Sequence, residues 1–206
     1  MSARWHARQN GEHDVAPVPR RWTREEYHAL GEAGLIPEDE RVELIEGEIL
    51  KMTPIGSPHD GNNRWLTMFF APKLEGRAIV SVQGVLGIED DSEPEPDFVL
   101  LKPRDDYYRR SHATAADALL VIEVAQPSRS FDLGRKARLY ARGGVPEYWV
   151  VDMLEQRLVR HLGPLVSAEW SSIKRFGPEE SLAPQAFPDV VVELKHLLEP
   201  LDEGTV

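Results

Sequence analysis

Two carboxylates and one lysine carry the strongest chemical signal in this 206-residue sequence. Glu123 interrupts the otherwise apolar run ALLVIEVA, whose composition predicts a strand buried on both faces. A carboxylate there costs several kcal/mol unless a partner neutralises it. Asp97 opens a second apolar run, PDFVLL, so two neighbouring strands could bring both acids to one place. Acids forced together repel unless a cation lies between them. Carboxylate oxygens suit Mg²⁺ or Mn²⁺, which keep several waters and can activate one for attack on a phosphodiester. A plainer reading has Asp97 capping a turn after Pro96 and Glu123 paired with an arginine, and for either acid alone it is the better one.

The segment after Glu123 supplies the third group. DLGRKARLYAR predicts a helix from Asp132 to Arg142, stopped by Gly143-Gly144. At about 100° per residue, Leu133, Ala137, Tyr140 and Ala141 share one face, with Arg135, Arg138 and Arg142 opposite. Lys136 falls beside Leu133 and Tyr140, at the edge of the inward face, where a lysine usually takes a carboxylate or phosphate partner. A lysine snorkelling from the core edge is the structural alternative; two inward acids ahead of it favour the paired reading.

Positioning these residues requires a scaffold. Residues 1–20 mix Arg, His, Asn, Gly and Pro without period and read as a flexible tail. In TREEYHALGEAG, Thr23 as N-cap and Glu26 form a capping box that starts a helix. RVELIEGEILKM predicts two short strands joined at Glu46-Gly47, and NNRWLTMFFAPKL a second helix after PIGSPHDG. AIVSVQGVLGI and PDFVLL read as strands separated by the acidic turn EDDSEPE. ALLVIEVA follows as a central strand, then EYWVVD and QRLVRHL as a strand pair, with AEWSSIKRF and DVVVELKHLL completing the chain. Strands around a few helices, without regular βα alternation, give an α+β fold with a mixed central sheet flanked by helices. One domain is expected over residues 21–198, with a short tail at 199–206.

Composition narrows the function. The chain is 41% hydrophobic and 29% charged, enough for one real core. No stretch approaches the roughly 18 apolar residues of a membrane span, and the N-terminus lacks the apolar region of a signal peptide, so a cytoplasmic protein is expected. The absence of cysteine removes disulfides, zinc-thiolate sites and cysteine nucleophiles. A formal net charge of -11 argues against nonspecific coating of nucleic acid, leaving a local basic surface or bound cations. Arg104, Arg109, Arg110 and the arginine face of the 132–142 helix could track a phosphate backbone, though such arginines are more often a solvated face.

VELIEGEI, EPDFVLL, LLVIEVAQPS and FDLGRKARLYARGGVPEYWVVD together resemble the Uma-two family of restriction-endonuclease-like proteins, within the PD-(D/E)XK nuclease superfamily. The resemblance spans most of residues 22–198 and is most specific from Leu120 to Asp152. It implies a restriction-endonuclease-like sheet with a metal site on its edge. In the superfamily the lysine usually lies two residues after the glutamate, a place held here by Ala125; the family is similar in having moved it to the next helix, where Lys136 matches. By resemblance, Asp97 and Glu123 are metal ligands, Glu43 is a further acidic ligand reached directly or through water, and the Val124 carbonyl supplies another oxygen. Lys136 stands near the attacking water, and His59, Gln126 and Asp132 are accessory. For Asp132, helix capping is the preferred role, and for His59 a solvent-facing cap is nearly as good a reading. Gln126 replaces a serine common in the family, and Ser128-Arg129 a Ser-Thr pair. The implied activity is Mg²⁺- or Mn²⁺-dependent hydrolysis of nucleic acid, DNA foremost, leaving a 5′-phosphate, by a homodimer.

FPDVVVELKHLL also spells the superfamily motif, with Pro188-Asp189 and Glu193-Leu194-Lys195. Only three residues separate Asp189 from Glu193, so the two cannot come from adjacent strands. Neither HExxH, P-loop, GxSxG nor strand-linked GxGxxG is present. A noncatalytic module of the same fold, binding a protein or nucleic-acid partner, and a hydrolase of small phosphoesters with a closed pocket are the other readings.

Overall fold

The computed structural model describes residues 18–37, 39–52, 56–164 and 167–198. Of the expected tails, residues 1–17 and 199–206 lie outside the described residues. The chain runs through α1 (Arg24–Glu32), β1 (Val42–Ile45), β2 (Glu48–Lys51), α2 (Ser57–Lys73), β3 (Ile79–Val82), β4 (Leu86–Gly87), β5 (Phe98–Leu101), β6 (Ala113–Thr114) and β7 (Ala118–Ala125). A helical run follows: α3 (Arg129–Phe131), a π-helical segment (Asp132–Lys136) and α4 (Ala137–Arg142). Then come β8 (Glu147–Asp152), β9 (Arg157–Pro164), β10 (Trp170–Phe176), β11 (Ser181–Leu182), β12 (Val192–Glu193) and α5 (Lys195–Leu198). Among the described residues no helix is long and apolar enough to cross a membrane.

Six strands pair in the order β10-β9-β8-β7-β5-β3. Only β7 and β8 run parallel; the remaining neighbours are antiparallel, which gives the expected mixed sheet. A parallel neighbour demands a crossover connection, and the helical run 129–142 provides it.

Side-chain alternation divides the core into two layers. Leu120, Ile122 and Val124 join Phe98, Trp149 and Val151 beneath Leu66 and Phe70 of α2 and Leu74 at its C-cap. Val121 and Ala125 face the other way, packing with Tyr148 and Val150 beneath Ala137, Leu139 and Tyr140 of α4. Glu123, between Val121 and Ala125, shares this second face. Leu100 pairs with Leu120 but Leu101 with Ala118, so Leu119 is the extra residue of a bulge.

The capping box forms, with the Thr23 side chain accepting from the Glu26 N–H and the Glu26 side chain from the Thr23 N–H. The β1–β2 hairpin turns at Glu46 and Gly47, both at positive φ (52° and 74°), the signature of a type I′ turn. Three elements differ from expectation. α2 begins at Ser57 because Pro58 occupies the first turn, where no N–H is needed. The run AIVSVQGVLGI breaks after Val82, where Gln83 takes φ 50°. The crossover helix starts at Arg129 and not at Asp132, and it passes through a π turn.

A Cβ on Gly47 would stand 2.5 Å from Arg21 Cβ at a φ that L side chains rarely adopt. Gly47→Ala is expected to cost about 1–3 kcal/mol in urea unfolding; an unchanged midpoint would contradict this account of the turn. His161 is buried against Tyr148 and Trp170, ring centroids 5.2 and 5.5 Å away, and burial pulls its pKa down to about 4. The unfolded chain takes this proton near pH 6.5, so the contribution is complete above that pH and is lost as pH falls towards 4. His161→Phe should flatten the stability profile between those limits, which denaturation at pH 7 and pH 5 would show.

Candidate active site

Antiparallel pairing sets Phe98 opposite Ile122, and so brings Asp97, the residue before β5, level with Glu123. The contact is reciprocal: the Asp97 N–H donates to Glu123 Oε2 at 3.3 Å, and the Val124 N–H donates to Asp97 Oδ2 at 2.8 Å. Val124, expected as the source of a carbonyl ligand, meets the acids here through its N–H. The same Asp97 oxygen lies 2.8 Å from His59 Nε2, in the first turn of α2. His59 is therefore turned inward and is not a solvent-facing cap.

The crossover carries Lys136 over the same sheet face. Its ammonium, 3% exposed, donates to Glu123 Oε1 at 3.0 Å and to Glu43 Oε1 of β1 at 3.2 Å. Glu43 Oε2 is 3.1 Å from the ammonium but accepts no hydrogen bond. Tyr140, one turn further along, donates its hydroxyl to Glu123 Oε1 at 2.8 Å. The π segment, closed by the Ala137 N–H bonding to the Asp132 carbonyl, ends at Lys136, and such bulges recur at functional sites. Asp132 is buried inside this run, so it does not cap the helix; its Oδ2 accepts from Ser128 Oγ at 2.5 Å.

Burial pushes the Glu123 carboxyl well above its usual range; the Lys136 charge opposes this, and Asp97, Asp132 and Glu43 add to it. Burial likewise lifts Asp132 to about 6. For Lys136 burial acts in the opposite sense, but Glu123, Glu43 and Asp132 outweigh it and hold the ammonium charged. Burial, then the Glu123 charge, raises the Tyr140 hydroxyl well above its normal value, so it remains a donor.

Glu43, His59, Asp97, Glu123, Gln126, Asp132 and Lys136 line one cavity of about 60 Å³, with Arg41 and Glu95. Carboxylate oxygens are the donor type that a hard divalent cation takes, and Glu43, Asp97 and Glu123 all face this cavity, with Glu43 Oε2 held 3.1 Å from the Lys136 ammonium. As arranged, Lys136 lies between Glu43 and Glu123. Among the described residues no three carboxylate or imidazole groups are gathered closely enough to grip an ion.

Read from sequence, Tyr140 is a core aromatic; its ring is core, but its hydroxyl reaches Glu123, and the only signal was its spacing of four from Lys136. The arginine face is largely spoken for. Arg135 binds Glu46 at 2.7 Å, Glu48 at 2.7 Å and the Ile45 carbonyl at 3.0 Å, and Arg142 binds Glu89 at 2.6 Å and Glu46 at 3.0 Å. Arg104 is paired with Asp106 at 2.5 Å. In the C-terminal copy of the motif, Asp189 clasps Arg77 at 2.7 and 2.8 Å, and Glu193 lies 2.9 Å from Lys195.

A family model described as "Uma2: Putative restriction endonuclease" matches residues 24–195. The chain belongs to the Uma2 family. A crystal structure described as a "putative nuclease belonging to DUF820" from Anabaena variabilis resembles this Uma2 chain with a TM-score of 0.66 and 16% identity. The match covers 88% of this chain and 98% of that one, and at this identity it speaks to the fold, a restriction-endonuclease-like α+β architecture. No curated protein matches the sequence.

Removing the ammonium leaves two glutamates buried face to face. Lys136→Met is expected to cost about 3–5 kcal/mol in urea unfolding, with much of the loss recovered when Glu43→Gln and Glu123→Gln are added. A Lys136→Met protein as stable as wild type would contradict this electrostatic account.

Proposed function

We propose that this Uma2 protein is a divalent-metal-dependent endonuclease that hydrolyses phosphodiester bonds in DNA, with Mg²⁺ or Mn²⁺ as its cation. The observation that carries the reading is the convergence of Asp97, Glu123 and Lys136 on one cavity, from two paired strands and the crossover helix. Asp97 and Glu123 would hold the cation, with Glu43 as the further acid, and the ion when bound would lower the pKa of a coordinated water and offset phosphate charge.

The protein's own groups divide the remaining work. Tyr140 and Lys136 both bind Glu123 Oε1, which fixes the carboxylate and, among the described residues, leaves Oε2 with only the 3.3 Å bond from the Asp97 N–H. Lys136 spends two of its three N–H donors on Glu123 and Glu43, leaving the third for the attacking water or the developing charge on the phosphate. The Asp97–His59 contact holds Asp97 and supplies a group able to relay a proton at Nε2. The homodimer and cytoplasmic setting belong to the same reading.

One observation favours a noncatalytic module of the same fold: Lys136 pairs with both Glu43 and Glu123, so these buried acids have a structural partner. Plasmid cleavage separates the two. Wild type is expected to nick DNA with Mg²⁺ or Mn²⁺ and to lose activity in EDTA. Asp97→Asn should lose about a hundredfold or more in rate while melting close to wild type. Folded wild type that cleaves neither plasmid nor single-stranded DNA with either ion would leave the binding module as the better account.

A further inference from the structure

Arg41 precedes Glu43 by two residues, and its carbonyl accepts from the Met52 N–H at 2.9 Å, which extends the β1–β2 ladder by one pair. Strand periodicity therefore turns Arg41 to the same side as Glu43, and it lines the same cavity. Any phosphate entering that cavity meets Glu43, Glu95, Asp97, Glu123 and Asp132. Lys136 is committed to two of them. Arg41 is not: among the described residues its guanidinium makes no hydrogen bond, and its ion pair is the 4.0 Å contact with Glu95. Its side chain is 37% exposed. Beyond Arg41 and Glu95 a wider hollow of about 650 Å³ continues beside α1, lined by His28 and His112 as well as by Glu32 and Glu40.

An arginine with its planar fork of donors unspent, at the mouth of an acidic cavity, suits bidentate capture of phosphate. We propose that Arg41 is the substrate-positioning residue of this site, binding a nonbridging oxygen of the DNA backbone and compensating the acids that would otherwise repel it. The proposal rests on the nuclease reading above.

Fluorescence anisotropy of a short labelled DNA duplex tests it, with Ca²⁺ supplied so that binding is read apart from cleavage. Arg41→Met is expected to weaken binding about tenfold and to lower the slope of log K against log salt by about one. Arg41→Lys, which keeps the charge but not the fork, should fall between in affinity with the wild-type slope. Arg175→Met, on the far edge strand β10, should bind as wild type. Arg41→Met should also melt near wild type and keep its Mn²⁺ affinity by calorimetry, which marks the defect as one of phosphate binding. Wild-type affinity and salt slope in Arg41→Met would overturn the assignment and leave the nuclease reading standing. Wild type that binds no DNA would overturn both.

Discussion

A lysine ammonium buried between two glutamates is the interaction on which this molecule turns. Glu123 lies within the central strand of the sheet, where an unpaired carboxylate is too costly to persist, and Lys136 is almost as deeply enclosed. Each is tolerable only because the other is within hydrogen-bond reach, with Glu43 and Tyr140 completing the set. Strand, hairpin and crossover helix thus meet at one charged point. Because breaking any partnership leaves a buried charge, the network constrains all three elements at once.

The rest of the architecture delivers those groups to that point. The parallel β7–β8 pair requires a crossover, and the crossover holds Lys136 and Tyr140 over the face that carries Glu123. Antiparallel pairing of β5 with β7 sets Asp97 beside Glu123. The hairpin that presents Glu43 is clamped from outside by Arg135 and Arg142, which bind Glu46 in its turn, and Arg135 reaches Glu48 as well. Such half-exposed ion pairs contribute modestly one by one. Joined across two elements, they fix the hairpin relative to the helix, where an error of an ångström would separate Glu43 from Lys136.

How much of this was legible depended on sequence distance. Glu123 stood out because a charge in an apolar strand must be explained, Asp97 because it opened the neighbouring strand, and Lys136 because helical phase turned it inward. The Thr23–Glu26 capping box and the Glu46-Gly47 turn are local devices, and both were readable. The arginine clamp was not, because Arg135 and Glu46 are far apart in the chain and helical phase alone made that face look solvated. Asp132 read as a cap because its residue type favours caps, while the helix start at Arg129 and the π turn depend on tertiary contacts such as that of Tyr148 with the Asp132 carbonyl. His59 and Arg41 point into the cavity for reasons of fold, and neither residue type announces it.

The proposed chemistry requires the acids around Lys136 to take up a divalent cation. A crystal soaked with Mn²⁺ and measured at the manganese absorption edge tests it most directly. An anomalous peak bonded to Asp97 and Glu123, with the Lys136 ammonium still beside Glu43, is expected. Manganese bound elsewhere, or absent from the cavity while the Lys136 pairs stay as they are, would contradict it and leave the charged cluster as a purely structural element of the fold.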